Sequence, residues 1–262
     1  MQEVDWPDKK IEEIAMKEHV GDAFYQETKY HRGKLPDSFP DWSKLPYQQL
    51  IESFYEHKNA EQARMMSAYM KNNFPFLGIP KPRRAELQKE FLGLAKKQIE
   101  VDWAWALMLW DLPEREFQYL AVEYLRVLNN ILQKSDIDRI KTLIITKSWW
   151  DTVDSLAENI TGVLCAKDTE LIQSHLISWA KSDNIWLVRI AILFQLKYKD
   201  KTDAPLLAQI IDQNSDSKEF FVAKAIGWAL REYSKTNKEW VRSFLQSHNL
   251  QPLSVREAVK YL

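Results

Sequence analysis

The feature that most constrains the fold is an apolar period of about 3.6 residues that begins at Tyr47 and continues to Leu262 with only short polar interruptions. No stretch alternates between apolar and polar residues convincingly enough to predict a strand. The chain also has only 6 glycines in 262 residues, whereas sheet-rich chains need glycine at many of their turns. The sequence therefore predicts an all-α fold.

The predicted helices are about 10 to 18 residues long and are joined by short polar turns, which favours stacked antiparallel pairs over a closed bundle. A weak internal repeat supports stacking, because residues 184–198 resemble residues 219–233. In this register the matched pairs are Trp186 with Phe221, Arg189 with Lys224, and Leu193 with Trp228. An early basic residue and small residues midway are typical of the second helix of a HEAT-like pair, although the spacing is shorter than the usual HEAT length.

Residues 1–46 differ from the rest of the chain and are predicted to be a separate appendage. Ile11 to Lys17 fit a short helix, and residues 35–46 form a proline-punctuated linker. The appendage carries 7 Lys+Arg and 10 Asp+Glu, a formal net charge of −3, whereas the whole chain has −1. Residues 47–262 therefore have a net charge of +2, which permits a local basic surface, and we predict that they form the functional domain.

Several common chemistries lack their residues in this chain. There is no glycine-rich phosphate loop and no GxSxG elbow, and the histidines are scattered without metal-ligand spacing, so we expect neither a metal nor a cofactor. Cys165 could be a nucleophile, but its apolar neighbours favour a small core residue. A single cysteine fits a reducing cytoplasm. The N-terminus does not resemble a signal peptide, and no apolar run is long enough to span a membrane.

Residues 147–154, KSWWDTVD, have the most unusual composition, because two adjacent tryptophans are followed by two acids. Ser148 is a plausible helix N-cap, which would place Asp151 in the first turn, where a carboxylate suits the helix dipole. Trp150 and Asp154 are then four residues apart, and an indole and a carboxylate share one face. Taken alone, this pattern also fits a core tryptophan beside a solvated acid.

Five blocks of the chain closely resemble, in the same order, the AlkD family of bacterial DNA glycosylases, which are built from HEAT-like repeats. The resemblance runs from about Pro46 to Leu262. The blocks are AYMKNNFPFLGI at 68–79, WDLPEREFQ at 110–118, TKSWWDTVD at 146–154, SDNIWLVR at 182–189 and KEFFVAKAIGWALREY at 218–233. The resemblance implies a right-handed superhelical solenoid of antiparallel helix pairs whose concave face binds DNA. The appendage has no counterpart in this pattern.

The resemblance also implies roles for particular residues. The family's catalytic aspartate falls on Asp154, and its two active-site tryptophans fall on Trp150 and Trp228. Its DNA-backbone arginines fall on Arg189 and Arg231, and a tyrosine near the lesion falls on Tyr69. Each residue also has an ordinary structural reading: a core tryptophan, a solvated or ion-paired arginine, or a packing tyrosine.

The function that the resemblance implies is excision of cationic N3- and N7-alkylated purines, such as 3-methyladenine and 7-methylguanine, from double-stranded DNA without base flipping. Such a base already carries a positive charge and leaves without being protonated, and the transition state gathers positive charge on the deoxyribose. An ionised carboxylate and electron-rich indole faces suit that transition state. Asp154 would stabilise it and could also orient water.

The expected protein is a monomeric bacterial enzyme of base excision repair, cytoplasmic and associated with the nucleoid when it acts on DNA. Two other classes of protein remain open from the residues. One is a HEAT-like scaffold for protein interaction, and the other is a non-catalytic binder of DNA structure. Convergence of the tryptophans, Asp154 and the arginines in one basic cleft would favour the enzyme.

Overall fold

The computed structural model describes residues 45–262, which form helices with short connections and contain no strand. The all-α prediction is confirmed for this part of the chain. The short helix predicted at Ile11 to Lys17 lies outside the described residues, as does most of the predicted linker. The chain divides into two compact units, the first ending at Ile131 and the second spanning Leu132–Leu262.

The first unit is built on a core of aromatic residues from several helices. The helices Trp103–Asp111 and Lys89–Ala95 both pack on the helix Arg115–Val127. The rings of Tyr47 and Trp105 lie 4.3 Å apart, and those of Phe54 and Phe117 lie 5.7 Å apart. The helices are α1 Tyr47–Glu56, α2 Ala60–Tyr69, α3 Lys81–Leu87, α4 Lys89–Ala95, α5 Trp103–Asp111 and α6 Arg115–Val127.

A buried carboxylate fixes the loop between α2 and α3. Glu116 is fully buried and accepts hydrogen bonds from the backbone N–H groups of Leu77, Gly78 and Ile79 at 2.9, 2.8 and 3.1 Å. Gly78 has a φ of +88°, and a Cβ there would lie 2.1 Å from the carbonyl oxygen of Asn59, so the loop requires glycine. Two of the sequence blocks, 68–79 and 110–118, are therefore joined by direct contact.

The second unit contains the remaining helices. It also has two five-residue π-helical turns. The first, Ala157–Thr161, connects helix Trp150–Leu156 to helix Gly162–Lys167, and the second, Ile172–Leu176, leads into helix Ile177–Trp179. The helices are α7 Ile137–Ile145, α8 Trp150–Leu156, α9 Gly162–Lys167, α10 Ile177–Trp179, α11 Ile185–Leu193, α12 Ala204–Asp212, α13 Phe220–Ser234, α14 Lys238–Ser247 and α15 Pro252–Ala258.

Four helices of the second unit stack in sequence order. Helix α8 packs on α11, α11 packs on α13, and α13 packs on α15. The buried faces are lined by aliphatic side chains with no exposed surface, such as Val153, Ile190 and Leu230. Burial of such side chains is the main source of stability for a stack of short helices. This row of helices carries the residues of the candidate site.

The internal repeat seen in the sequence corresponds to two of these stacked helices. Asn184 occupies the N-cap position of α11, and Glu219 occupies that of α13. The side chain of Asn184 accepts hydrogen bonds from the backbone N–H groups of Trp186 and Leu187. The matched residues Trp186 and Phe221 are in contact, with their ring centres 4.9 Å apart. The predicted helical repeat is confirmed for this pair.

Cys165 is a core residue, as its neighbours in sequence predicted. It has no exposed surface, and burial raises the pKa of its thiol to about 12, with the Asp168 carboxylate adding to the effect. A thiol that stays protonated at neutral pH is a poor nucleophile. Among residues 45–262, no helix combines the length and the apolar character needed to cross a bilayer.

Candidate active site

Helix α8 begins one residue later than it would if Ser148 were its N-cap. Its N-cap position is Trp149, and no side chain caps it. Lys147 adopts a left-handed φ of 46°, and the Ser148 hydroxyl donates a 2.6 Å hydrogen bond to the carbonyl of Ile144 instead. Ser148 thus satisfies the end of α7, so its predicted N-cap role is wrong. Asp151 does lie in the first turn of α8, as predicted.

A cleft of about 400 Å³ opens along α8, α11, α13 and the C-terminal end of the second unit. It brings together five of the six residues singled out in the sequence. The cleft is lined by Trp150, Asp154, Arg189, Phe220, Phe221, Lys224, Trp228, Arg231, Glu257 and Lys260. The sixth residue, Tyr69, belongs to the first unit, where it ends α2 with 69% of its surface exposed.

Asp154 and Arg189 form a bidentate ion pair in the wall of the cleft. The Nε and Nη2 groups of Arg189 donate to the two carboxylate oxygens of Asp154 at 2.6 and 2.8 Å. The Nη1 group of Arg189 donates to the backbone carbonyl of Phe221 at 2.6 Å. The side chain of Arg189 is only 5% exposed and that of Asp154 is 16% exposed. Two planar groups are therefore locked in one geometry by three charge-assisted bonds.

Opposing influences act on the protonation of Asp154. The pKa of Asp154 is raised overall, because burial, with a smaller contribution from the carboxylates of Glu158 and Asp151, outweighs the lowering effect of the hydrogen bonds and positive charge of Arg189. Arginine keeps its proton at any pH at which a protein folds. The guanidinium therefore favours the ionised carboxylate in a site where burial alone would favour the neutral acid.

The aromatic rings of Trp149, Trp186 and Phe221 pack against one another, and Phe221 also contacts Arg189. Their ring centres are 5.8 Å apart for the two tryptophans, 4.9 Å for Trp186 and Phe221, and 5.1 Å for Trp149 and Phe221. The guanidinium of Arg189 lies 6.0 Å from the ring of Phe221, at the outer limit of a cation–π contact. Phe221 thus holds Arg189 through both its ring and its carbonyl, a role that the sequence did not indicate.

Helix α13 presents a second functional face to the cleft. Lys224, Trp228 and Arg231 follow one another at intervals of four and three residues, so they share one side of the helix. Gly227 lies on the same side, and a Cβ there would meet Glu257 Cβ at 2.5 Å and the carbonyl oxygen of Ser254 at 2.7 Å. The element that approaches α13 closely beside Trp228 is therefore α15.

The close approach of α15 places Glu257 among three cations. Its carboxylate accepts from Lys224 Nζ at 2.7 Å, Arg231 Nη1 at 3.0 Å and Lys260 Nζ at 2.7 Å. The hydrogen bonds from Lys224 and Lys260 hold the pKa of Glu257 down at about 2, although burial alone would raise it. Sequence reasoning missed Glu257 and Lys260, whereas the internal repeat had already paired Lys224 with Arg189.

This fold and this cleft can be compared with known proteins. The model of the family described as DNA alkylation repair enzyme matches residues 50–262 of the chain. The chain belongs to the DNA alkylation repair enzyme family. No curated protein is similar enough to the chain to match it.

A solved structure similar to this chain supports the fold. The chain resembles a predicted DNA alkylation repair enzyme from Enterococcus faecalis, with 35% sequence identity and a TM-score of 0.73. The similarity covers 78% of this chain and 96% of the Enterococcus faecalis chain. The family membership and this likeness support a role in DNA repair for the chain and DNA as its substrate.

The charges in the cleft of this DNA alkylation repair family member fall into two groups. Asp154 and Arg189 form a neutral pair, whereas Glu257 faces the three cations Lys224, Arg231 and Lys260. The second group has a formal net charge of +2, from three positive charges and one negative charge. Within residues 45–262, no cluster of three or more His, Cys, Asp or Glu side chains is arranged to hold a metal ion.

Proposed function

We propose that the chain is a monofunctional DNA glycosylase that hydrolyses the N-glycosidic bond of cationic N3- and N7-alkylated purines in duplex DNA. The observation that carries the proposal is the convergence of one carboxylate, Asp154, with two indoles, Trp150 and Trp228, in a single cleft. Family membership supports DNA repair. The finer assignment to glycosidic-bond hydrolysis comes from what these side chains can do chemically.

The reaction requires little acid–base chemistry from the protein. When the glycosidic bond breaks, its electron pair leaves with the purine and neutralises the positive charge of the alkylated ring. Positive charge then develops on the deoxyribose, water adds at the anomeric carbon, and a proton is lost from that water. The protein must therefore stabilise a cation on the sugar, and a general acid for the leaving base is unnecessary.

Asp154 is suited to stabilise that cation. Burial raises its pKa, and the ion pair with Arg189 opposes that effect and favours the negative form. A fixed carboxylate in a partly dry site interacts with a developing charge more strongly than it would in water. The indole faces of Trp150 and Trp228 would flank the sugar and add cation–π stabilisation while excluding solvent. Contact with the sugar and backbone would allow excision without flipping the base into a pocket.

Arg189 and Arg231 are proposed to contact the DNA backbone, and their surroundings differ. Arg231 has 23% of its side chain exposed and donates to Glu257 through one Nη atom. Arg189 is 5% exposed and already uses three of the five N–H donors of a guanidinium. Arg231 is therefore the better placed of the two for a phosphate, and Arg189 can contribute through its two remaining N–H groups.

One observation favours a second candidate function, a non-catalytic binder of DNA structure. Both oxygens of Asp154 accept hydrogen bonds from Arg189, which is also how a purely structural carboxylate is held. In that case the cleft would bind damaged DNA without releasing a base. The two candidates make opposite predictions about chemistry and similar predictions about binding.

Base release under single-turnover conditions separates the two candidates. Duplex DNA with one 7-methylguanine is incubated with excess protein, and abasic sites are quantified after alkaline cleavage. We expect the full-length protein to release the base, and we expect Asp154→Asn to be slower by about 100- to 1,000-fold, the usual loss for one preorganised electrostatic group. Tight binding of the modified duplex with no base release by the wild type would establish the non-catalytic candidate instead.

A further inference from the structure

The net positive charge of the cleft lies around one buried acid, Glu257. Glu257 is 6% exposed at its side chain, and its two oxygens are shared by Lys224, Arg231 and Lys260. Each cation still has N–H donors that Glu257 does not use, because an ammonium has three and a guanidinium has five. The exposed fractions of the side chains are 38% for Lys224, 23% for Arg231 and 47% for Lys260. The Glu257 carboxylate is therefore buried, whereas the three basic side chains around it are accessible from the cleft.

The backbone explains why this cluster forms at this place. Lys224 and Arg231 are seven residues apart on α13, two helical turns, with Gly227 between them on the same face. The absence of a side chain at Gly227 lets α15 approach within van der Waals contact, and the buried Ser254 hydroxyl fixes that approach by donating to the Ala223 carbonyl at 2.8 Å. Glu257 therefore enters the gap between the two basic side chains.

We propose that Lys224 and Lys260, gathered with Arg231 on the Glu257 carboxylate, extend the DNA-backbone contact already proposed for Arg231 into a binding site for backbone phosphates of duplex DNA at the edge of the cleft. The site has a formal net charge of +2, which matches two phosphodiester groups of one negative charge each. Glu257 is the positioning residue, since it keeps three mutually repelling cations together before DNA arrives. The proposal deepens the proposed function and rests on it only for the identity of the ligand.

Arg189 is the other cation in the cleft, but two observations argue against it as the main source of attraction for DNA. The charge of Arg189 is neutralised by Asp154, and its side chain is nearly buried. Attraction of a polyanion depends on net charge that is accessible to it. The Glu257 cluster supplies that charge, so most of the affinity of this cleft for DNA should come from residues on α13 and beyond the end of α15.

The test measures equilibrium binding of a fluorescent undamaged duplex by the full-length protein at a series of salt concentrations. Each phosphate contact contributes about 0.9 to the slope of log affinity against log salt. We expect Lys224→Met and Lys260→Met each to make the slope shallower by about that amount. The loss of affinity between about 50 and 200 mM salt should then be about 3-fold smaller for each variant than for the wild type.

A matched lysine serves as the control. Lys134 is 49% exposed and pairs with the carboxylates of Asp168 and Glu170, but it does not line the cleft. Lys134→Met removes the same charge and should keep the wild-type slope. Wild-type slopes for Lys224→Met and Lys260→Met, or an equal change for Lys134→Met, would overturn the proposal. Thermal unfolding of each variant checks that the fold is intact.

The positioning role of Glu257 is tested by asking whether the effects of substitutions at Glu257 and Lys260 depend on each other. If Glu257 positions Lys260, the effect of Lys260→Met on the salt slope should fall to less than half in a Glu257→Gln background. A full effect in that background would remove Glu257 from the site. Base release is measured separately. Shallower slopes with no base release by the wild type would keep the phosphate site and reject the glycosylase, whereas base release with unchanged slopes would do the reverse.

Discussion

The replacement of Asp154 by asparagine should affect both stability and chemistry, and the structure allows the two effects to be separated. The substitution removes the negative charge opposite Arg189 and places an amide N–H₂ group near its donors. Arg189 is 5% exposed, and of the three hydrogen bonds described above only the one to the Phe221 carbonyl does not involve Asp154. A buried guanidinium therefore loses its charged partner.

Breaking a buried ion pair on one side costs about 3–5 kcal/mol, and the partial exposure of Asp154 argues for the lower end. A loss of about 3 kcal/mol lowers the unfolding temperature by about 6–12 °C in a chain of this size. We expect Asp154→Asn to show that shift in thermal unfolding followed by circular dichroism. Its base release should fall by about 100- to 1,000-fold at temperatures well below the transition.

Two further variants separate the loss of stability from the loss of base release. Replacing both partners, with Asp154→Leu and Arg189→Met, should recover most of the stability, because apolar substitution of a whole buried pair is often neutral or better. That double variant should remain as inactive as Asp154→Asn. Asp136→Asn removes a buried carboxylate that pairs with Arg139 away from the cleft, so it should cost stability and leave base release unchanged.

The reasoning fails in either of two ways. If Asp154→Asn releases 7-methylguanine within a few-fold of the wild-type rate while folded, the carboxylate does not stabilise the transition state. If the double variant recovers activity together with stability, the earlier loss came from unfolding alone. A wild-type unfolding temperature for Asp154→Asn would show that the ion pair contributes nothing to the fold.

Three other predictions follow from the same structure. Gly227→Ala should lower the free energy of unfolding in urea by about 1–3 kcal/mol through overpacking against α15, whereas Gly93→Ala, whose Cβ meets nothing within 4 Å, should raise it by up to about 1 kcal/mol. Glu257 has its pKa lowered from 4.5 to about 2, so the stability it contributes is present above pH 4.5 and is lost as the pH falls toward 2. Urea unfolding across that range should therefore be less pH-dependent for Glu257→Gln than for the wild type. In a panel of single-lesion duplexes, cationic N3- and N7-adducts larger than methyl should be released, and neutral uracil or 1,N6-ethenoadenine should not; release of a neutral base would indicate a general acid.

Two features of this cleft were predictable from local rules, whereas the roles expected of Trp228, Arg189 and Arg231 came only from the family resemblance. The helical period places Trp150 and Asp154 on one face of α8, and the internal repeat matches Arg189 with Lys224. The N-cap at Ser148 was not predictable, because Ser148 competes between the start of α8 and the end of α7, and the left-handed turn at Lys147 decides for the latter. A capping rule that considers one helix at a time cannot include that competition.

Glu257 could not be predicted for a different reason. Its role depends on the distance between α13 and α15, which is set by a single missing side chain at Gly227. Nothing in the sequence around Glu257 distinguishes it from a surface glutamate followed three residues later by a lysine, a common solvated pair. Contacts between side chains about thirty residues apart in sequence become visible only when the packing of the helices is known.

The repeat also explains how one cleft can hold two electrostatic sites of different character. Arg189 and Lys224 occupy equivalent positions on successive stacked helices, and each is paired with a carboxylate. Arg189 takes Asp154, 35 residues before it, and Lys224 takes Glu257, 33 residues after it. The first pairing is one to one and neutral, and it favours the ionised form of Asp154 in a partly buried place. The second is shared by three cations and leaves positive charge accessible. The stacking of repeats thus places a residue suited to stabilise a cation beside a surface suited to bind an anion, as an enzyme acting on the sugar of DNA would require.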